Sequence, residues 1–286
     1  DNSRVKANIV ATYFPQYARI INRVNQKKIR FIDLFCGKGR YDDGQFSTPY
    51  LITKSCIEDT VLREKVQLHF NDMFYGSECG SLLQKEFDLN QFRYEVQFGD
   101  YEVGNHPQIT NYLSKQIPKG KRNPHPALLF YDPFGYKAID TLTLAKFLQP
   151  WGNEIFLFFN TKRISAAVDN DKFTHLMGEL FPKNYETLRK DKRYGANVQD
   201  RLQLVIENIE DEFRTAIEDK CFMTPFRFME EDNVGTSHYI LHLTKGVKGY
   251  ELIKTIYSEY DNIGADLVNG TYTFDSKRMG TSEGTL

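Results

Sequence analysis

The stretch Ile29-Arg30-Phe31-Ile32-Asp33-Leu34-Phe35-Cys36-Gly37-Lys38-Gly39 decides the fold. It begins as a β-branched and aromatic run, Ile29 to Phe35, the composition of a strand covered on both faces. Glycines end it. At positions 37 and 39 they remove two side chains, so that the backbone can approach a bound molecule closely. A buried parallel strand running into such a turn is the first unit of a doubly wound α/β sheet. It also marks the edge at which that sheet binds ligands.

Upstream, Ile9, Val10, Tyr13, Phe14, Tyr17, Ile20, Ile21 and Val24 recur three and four residues apart. That spacing predicts a helix over about 5–26, kinked or divided at Pro15. Downstream, Thr48 offers a capping hydroxyl and Pro49 a first helical position. The helix they open continues through Leu51, Ile52, Cys56, Ile57 and Val61. Strands are predicted at 66–70, 94–98, 127–131 and 154–160, with helices near 77–87, 107–116 and 139–149. This alternation specifies a mostly parallel, doubly wound, Rossmann-like sheet.

The pattern changes after residue 160. Residues 161–222 read as a helical insertion, with the clearest helix over 197–220. The runs 226–229 and 238–243 form a hairpin around a longer loop, and a last amphipathic helix covers about 250–260. One α/β domain is therefore expected over 1–260. Residues 261–286 form an extension or truncated tail, and the small polar run 280–286 is expected to be disordered.

With 286 residues, 41% of them hydrophobic and 26% charged, the chain can bury a sizeable core. Its 22 Phe and 17 Tyr suit cores and sheet faces better than stacking platforms for bases. A net charge of −1 argues against a strongly polyanion-binding surface while leaving room for a local basic patch. No apolar run is long enough to span a bilayer, and the first residues lack the build of a secretory signal. The four cysteines have no metal-ligand spacing, so no metal is expected and a reducing cytoplasm fits best. Cys36, inside the turn, reads as a small residue filling a tight loop rather than a nucleophile.

Four successive strands end in an acid: Asp33, Asp72, Asp100 and Asp132. One such ending is ordinary turn chemistry; four in succession define a polar rim on one edge. Each has a task if the ligand is an adenosyl nucleoside with an amino-acid tail. Phe35, Gly37 and Gly39 form the turn over it. Asp33 meets the amino group directly or through water. Asp72 accepts from ribose hydroxyls, as the second-strand acid does in dinucleotide folds. Asp100 accepts from the adenine amine. Phe70, Phe98 or Tyr101 either flank the base or belong to the core. A nicotinamide fold is disfavoured, because its third glycine would fall at position 42, where Asp42 would repel a pyrophosphate.

Asp132-Pro133-Phe134-Gly135-Tyr136 follows the fourth strand. It resembles the Asp/Asn-Pro-Pro-Tyr/Phe turn of amino-group methyltransferases, in which a carboxylate or amide holds the target amine and an aromatic stacks on a flipped base. Phe134 stands at the second proline position and Gly135 at the aromatic one, with Tyr136 a residue further on. The segment either carries the chemistry, through Asp132, Pro133, Phe134 and Tyr136, or simply closes the strand. Arg40, Lys162 and Arg163 lie on the ligand edge and are candidates for an acidic substrate group. The basic loop Lys119, Lys121 and Arg122 lies at the opposite edge. His238 and His242 read as packing residues.

Ile32 to Tyr41, then Gly44 and Ser47-Thr48-Pro49, then Phe130 to Tyr136 together resemble the three-Cys-motif partner protein family, TcmP. Lys6 ahead of an aromatic-rich helix and the His238-Tyr239 strand are compatible with it. The resemblance spans about 5–260, and its specific motifs occupy about thirty residues; Thr48 stands where the family usually has Ser before Pro49. It implies the class I methyltransferase fold, S-adenosylmethionine as cofactor, and a neighbouring three-cysteine-motif, radical-type protein as partner. It also implies a winged-helix-like C-terminal domain, absent or cut off in this chain. The expected function is methyl transfer to an amino or other nitrogen acceptor, with nucleic acid a candidate carrier. The alternative is a catalytically silent module of the same fold that binds a partner protein or nucleic acid.

Overall fold

A first helix, α1 (Asn2–Asn22), lies against a mixed eight-stranded sheet. The computed structural model describes residues 2–103, 113, 122–133, 140–195, 198–217, 220–229, 236–264 and 271–277. The expected helix near 107–116, the hairpin loop, residues 119–121 of the basic loop and the 280–286 tail lie largely or wholly outside them. β1 (Ile29–Asp33), β2 (Val66–Asn71), β3 (Gln97–Gly99), β4 (Ala127–Tyr131) and β5 (Glu154–Phe159) are parallel, in the order β3-β2-β1-β4-β5. β7 (Thr236–Thr244) runs antiparallel beside β5, then comes β6 (Phe222–Met229), then β8 (Tyr272–Phe274) parallel to β6. The chain order reverses between β1 and β4. In an open α/β sheet that reversal leaves a crevice at the carboxyl ends of the two strands. The architecture is α/β and compatible with a Rossmann-like fold.

Both faces of the sheet are covered, which is why the central strands β4 and β5 are apolar at every position but Glu154. On one face Phe31, Leu68, Leu128, Phe130 and Phe156 pack under Tyr13 and Phe14 of α1 and under Ile253 and Tyr257 of a C-terminal helix. On the other, Ile32, Leu129, Tyr131, Ile155 and Leu157 meet Leu144, Phe147, Leu204, Ile209 and Phe213. The expected helical insertion is therefore a layer of the core. It consists of α6 (Thr161–Val168), α7 (Thr174–Leu180), α8 (Tyr185–Lys190) and α9 (Val198–Ala216). Other helices among the described residues are α2 (Thr48–Ile57), α3 (Thr60–Lys65), α4 (Gly76–Glu86), α5 (Thr141–Leu148) and α10 (Val247–Tyr260). Among the described residues no helix is long and apolar enough to cross a membrane.

Several expectations need correction. Pro15 does not divide α1, which runs through it. Pro15 and Ala11 are only partly buried, so water can reach the carbonyl that proline leaves without an amide partner. Val61 belongs to α3, not α2. The Asp59 carboxylate accepts from Val61 N at 2.8 Å and Leu62 N at 3.0 Å and starts a new helix there. The N-cap of α2 is Ser47 rather than Thr48. β3 is shorter and later than 94–98, because Tyr94 turns aside to donate to Lys27 O at 2.8 Å. β8 went unrecognised within the tail. Three residues carry no periodicity, and its place comes from Asn262, which exchanges bonds of 2.7 and 2.8 Å with Asp275, and from Arg227 Nε donating to Thr273 Oγ1 at 3.0 Å.

One buried amide ties the ligand edge together. Asn71, with no exposed surface, donates to Leu34 O at 3.1 Å and Tyr101 O at 2.9 Å, and accepts from Tyr101 N at 3.0 Å. Asn71→Ala strands all three groups and is expected to cost about 2–4 kcal/mol in urea unfolding. A loss below about 1 kcal/mol contradicts this role for the amide.

Candidate functional site

The turn after β1 is held on three sides. Cys36 N donates to Asn71 O at 2.9 Å, Gly37 N to Asp72 Oδ2 at 3.1 Å, and Ser47 N to Gly39 O at 3.0 Å. Gly37 (φ +61°) and Gly39 (φ +83°) take the left-handed backbone that side chains disfavour. A Cβ on Gly39 would also meet Leu82 Cδ2 at 2.9 Å, so α4 packs directly on the turn. The chain then forms a tight hairpin from Arg40 to Phe46 before α2 begins, which puts Asp42 where a pyrophosphate loop would place its third glycine. The Cys36 thiol, buried and hydrogen-bonded with Cys79, is pushed far up and stays protonated.

Below this turn, at the switch between β1 and β4, lies a cavity of about 570 Å3. Asp33, Phe35, Gly37, Asp72, Asp132 and Pro133 line it, so sequence positions spread over a hundred residues meet in one place. Asp33 is 1% exposed and its Oδ1 accepts from Phe35 N at 3.1 Å. Burial pushes its carboxyl well above the usual range. The Phe35 N–H opposes that, Asp132 adds to it, Lys6 pulls it down and Asp72 raises it further. Asp72 Oδ1 accepts from Phe74 N at 2.9 Å and Tyr75 N at 3.1 Å, while its Oδ2 meets the turn.

Asp100 is placed differently. It is exposed, does not line the cavity, and accepts from Ser77 N at 2.8 Å and from the Ser77 hydroxyl at the start of α4. Those bonds hold its carboxyl below the usual range. Gly39 shapes the turn without lining the cavity. Arg40 lines it, with its guanidinium 4.4 Å from the Phe46 ring centroid and 3.6 Å from Glu86. Arg163 lines it and Lys162 does not. Phe134 and Tyr136 lie outside the described residues. Arg122 donates to Val24 O and stays away from the cavity, as expected of the opposite loop.

Lys6, Ser47, Asn160 and His238 also line the cavity, and none of them was expected from sequence to meet a ligand. Lys6 is 9% exposed and pairs with Asp132. Its signal was present, because Lys6 stands three, four and seven residues before Ile9, Val10 and Tyr13, on the apolar stripe of α1. Ser47 is 8% exposed; it makes no cap bond, and its Oγ is buried without a partner. Asn160 caps α6 through Arg163 N at 3.0 Å, and its Nδ2 is 3.1 Å from His238 Nε2. His238 is therefore a cavity residue as well as a packing one, whereas His242 is fully buried against Glu154, Oε2 at 3.2 Å. Tyr41 donates to Ser3 O at 3.0 Å and closes the turn onto α1.

No protein-family model matches the chain, and no curated protein matches it.

The buried acid has a signature in pH. An unfolded aspartate ionises near about 3.9, whereas folded Asp33 holds its proton to higher pH. Between those values the folded state binds more protons, so wild-type stability falls as pH rises. Asp33→Asn has no such proton. Its melting temperature is expected to rise relative to wild type as pH increases from about 4 towards 7. A variant-minus-wild-type difference that stays flat or falls over that range contradicts the raised carboxyl.

Proposed function

We propose that this cavity binds S-adenosylmethionine and that the chain is a methyltransferase acting on a nitrogen acceptor. The observation that carries the reading is one buried acid, Asp33, and one buried, orphaned hydroxyl, that of Ser47, on residues that line the same switch-point cavity. The cost of burying Asp33 is offset once an ammonium group sits beside it. Ser47 Oγ, at the N-terminus of α2, lacks a partner until an acceptor such as a carboxylate reaches it. An amino-acid tail supplies both groups. Asp72 remains the ribose acceptor in this reading, and Asp42 argues against a pyrophosphate. Asp100, engaged by Ser77 outside the cavity, drops out as the adenine partner. An antiparallel β7 next to β5 also departs from the parallel order of nicotinamide sheets.

The sulfonium of the cofactor supplies the reactive methyl group, so positioning is the main task left to the protein. Gly37 lets the backbone approach closely, Asp33 and Ser47 orient the tail, and Asp132 with Pro133 forms the wall where an acceptor nitrogen would sit. The segments that resemble the TcmP family, around the glycine turn, Thr48-Pro49 and Asp132-Pro133, all lie on this one rim. That common location supports treating them as parts of one site.

Calorimetry with adenosylhomocysteine tests the reading. Binding is expected for wild type and abolished in Asp33→Ala; no heat at millimolar ligand with folded protein would overturn it. Ser47→Ala is expected to weaken adenosylhomocysteine by about 10- to 100-fold. The same variant should leave 5′-methylthioadenosine, which lacks the amino-acid tail, unchanged. Equal losses for both ligands would remove Ser47 from the tail site.

A further inference from the structure

Lys6 is the most unusual residue in the cavity. A lysine is rarely buried unless it is paired, and this one comes from the first turns of the chain to meet a carboxylate on β4's exit. Its Nζ bonds Asp132 and lies 4.1 Å from the centroid of the Phe158 ring. Phe158 stacks on His238 at 5.1 Å and 11°, and His238 contacts Asn160 at 3.1 Å. A wall of aromatic and amide groups thus holds the ammonium beside Asp132.

An ammonium carries three N–H donors and a carboxylate about four lone-pair positions. The ion pair therefore leaves capacity on both partners, and it presents a donor and an acceptor side by side to a third molecule. That pair reads an edge on which an N–H stands next to an acceptor atom. Nucleobases carry such edges: an amine beside a ring nitrogen, or a ring N–H beside a carbonyl.

Resting on the methyltransferase reading above, we propose that Lys6 and Asp132 form an acceptor-recognition pair, with Lys6 the specificity-determining residue, and that the acceptor is a base of a nucleic acid. Asp132 alone would welcome an alkylammonium, such as a lysine side chain. Lys6 opposes it through like charge, and discrimination of this kind depends on a repulsive element as much as on an attractive one. An isolated hydroxyl or carboxylate matches only half of the pair. Lys38, Arg40 and Arg163 on the same cavity suit a phosphate backbone beside the base. The base must leave its stack for its edge to reach this depth.

In the transfer, the acceptor nitrogen's lone pair forms the N–CH3 bond while the C–S bond breaks. Its electron pair stays on sulfur, which becomes a neutral thioether. The proton lost by nitrogen passes to the Asp132 carboxylate or to water. Lys6 acts by orienting the base and Asp132, and exchanges no atoms.

The test measures transfer of labelled methyl from S-adenosylmethionine to mixed-sequence single-stranded DNA and RNA and to a lysine-rich peptide. Wild type, Lys6→Met, Lys6→Arg and Asp132→Asn are compared, with adenosylhomocysteine calorimetry and melting curves on each. Wild type is expected to label an oligonucleotide and not the peptide. Lys6→Met is expected to lose about a hundredfold in kcat/KM on the oligonucleotide, while adenosylhomocysteine affinity changes less than about twofold. It should also raise the peptide-to-oligonucleotide ratio, which a merely structural role would not move, and Lys6→Arg should restore most of the loss. Full activity in Lys6→Met, preference of wild type for the peptide, or no oligonucleotide transfer by a protein that binds adenosylhomocysteine would each overturn the proposal. Failure of wild type to bind adenosylhomocysteine would instead bring down the cofactor reading, and this proposal with it.

Discussion

The carboxamide of Asn71 sits without solvent exposure at the end of β2 and bonds two other segments: Leu34, just past β1, and Tyr101, just past β3. The backbone carbonyl of Asn71 takes Cys36 N at 2.9 Å. Parallel strands end in unpaired backbone groups, and buried groups of that kind cost free energy unless something meets them. One side chain meets them here. The next residue, Asp72, then receives Gly37 N, so the glycine turn, β2 and the start of α4 become one rigid rim. The position of Asp33 at the cavity follows from that rim.

The other wall is set from the far end of the sheet. Tyr13 donates to Glu154 Oε2 at 2.6 Å and Tyr17 to Gly152 O at 2.6 Å, both near the amino end of β5. Thr244 Oγ1 donates to Glu154 Oε1 at 2.7 Å, and His242 Nε2 lies 3.2 Å from Oε2. Burial, with Glu154 beside it, pushes the Tyr13 phenol well up and keeps it a donor. The middle of α1 is thereby fixed along β5. Lys6, seven residues before Tyr13, lies about 10 Å further along the helix axis. This brings it beside Phe158, near the carboxyl end of β5, and next to Asp132. A network remote from the cavity thus determines which charge faces Asp132.

The two acids that line the cavity beside β1 and β4 differ in their partners. Asp33 has a backbone N–H and heavy burial, and its carboxyl is driven upward. Asp132 has an ammonium ion as its direct partner. Two carboxylates of the same chemistry are thereby suited to different tasks, one awaiting a cationic group and the other already paired with one.

Strand–helix alternation, the apolar strands and the Gly37–Gly39 turn were legible in the amino-acid sequence because each is a local pattern of burial and backbone freedom. Asp33, Asp72, Asp132 and Pro133 could be placed on one edge because a parallel sheet puts every carboxyl end on the same side. The tertiary structure alone decided which of those edge residues share a cavity. Asp100 satisfies Ser77 instead, a pairing 23 residues apart that no periodicity announces. Ser47 caps α2 without a side-chain bond and lines the cavity, and Lys6 crossed to Asp132 over 126 residues of chain. Contacts between distant segments depend on how whole layers pack, and the energetic reason to bury Lys6 exists only once Asp132 is beside it.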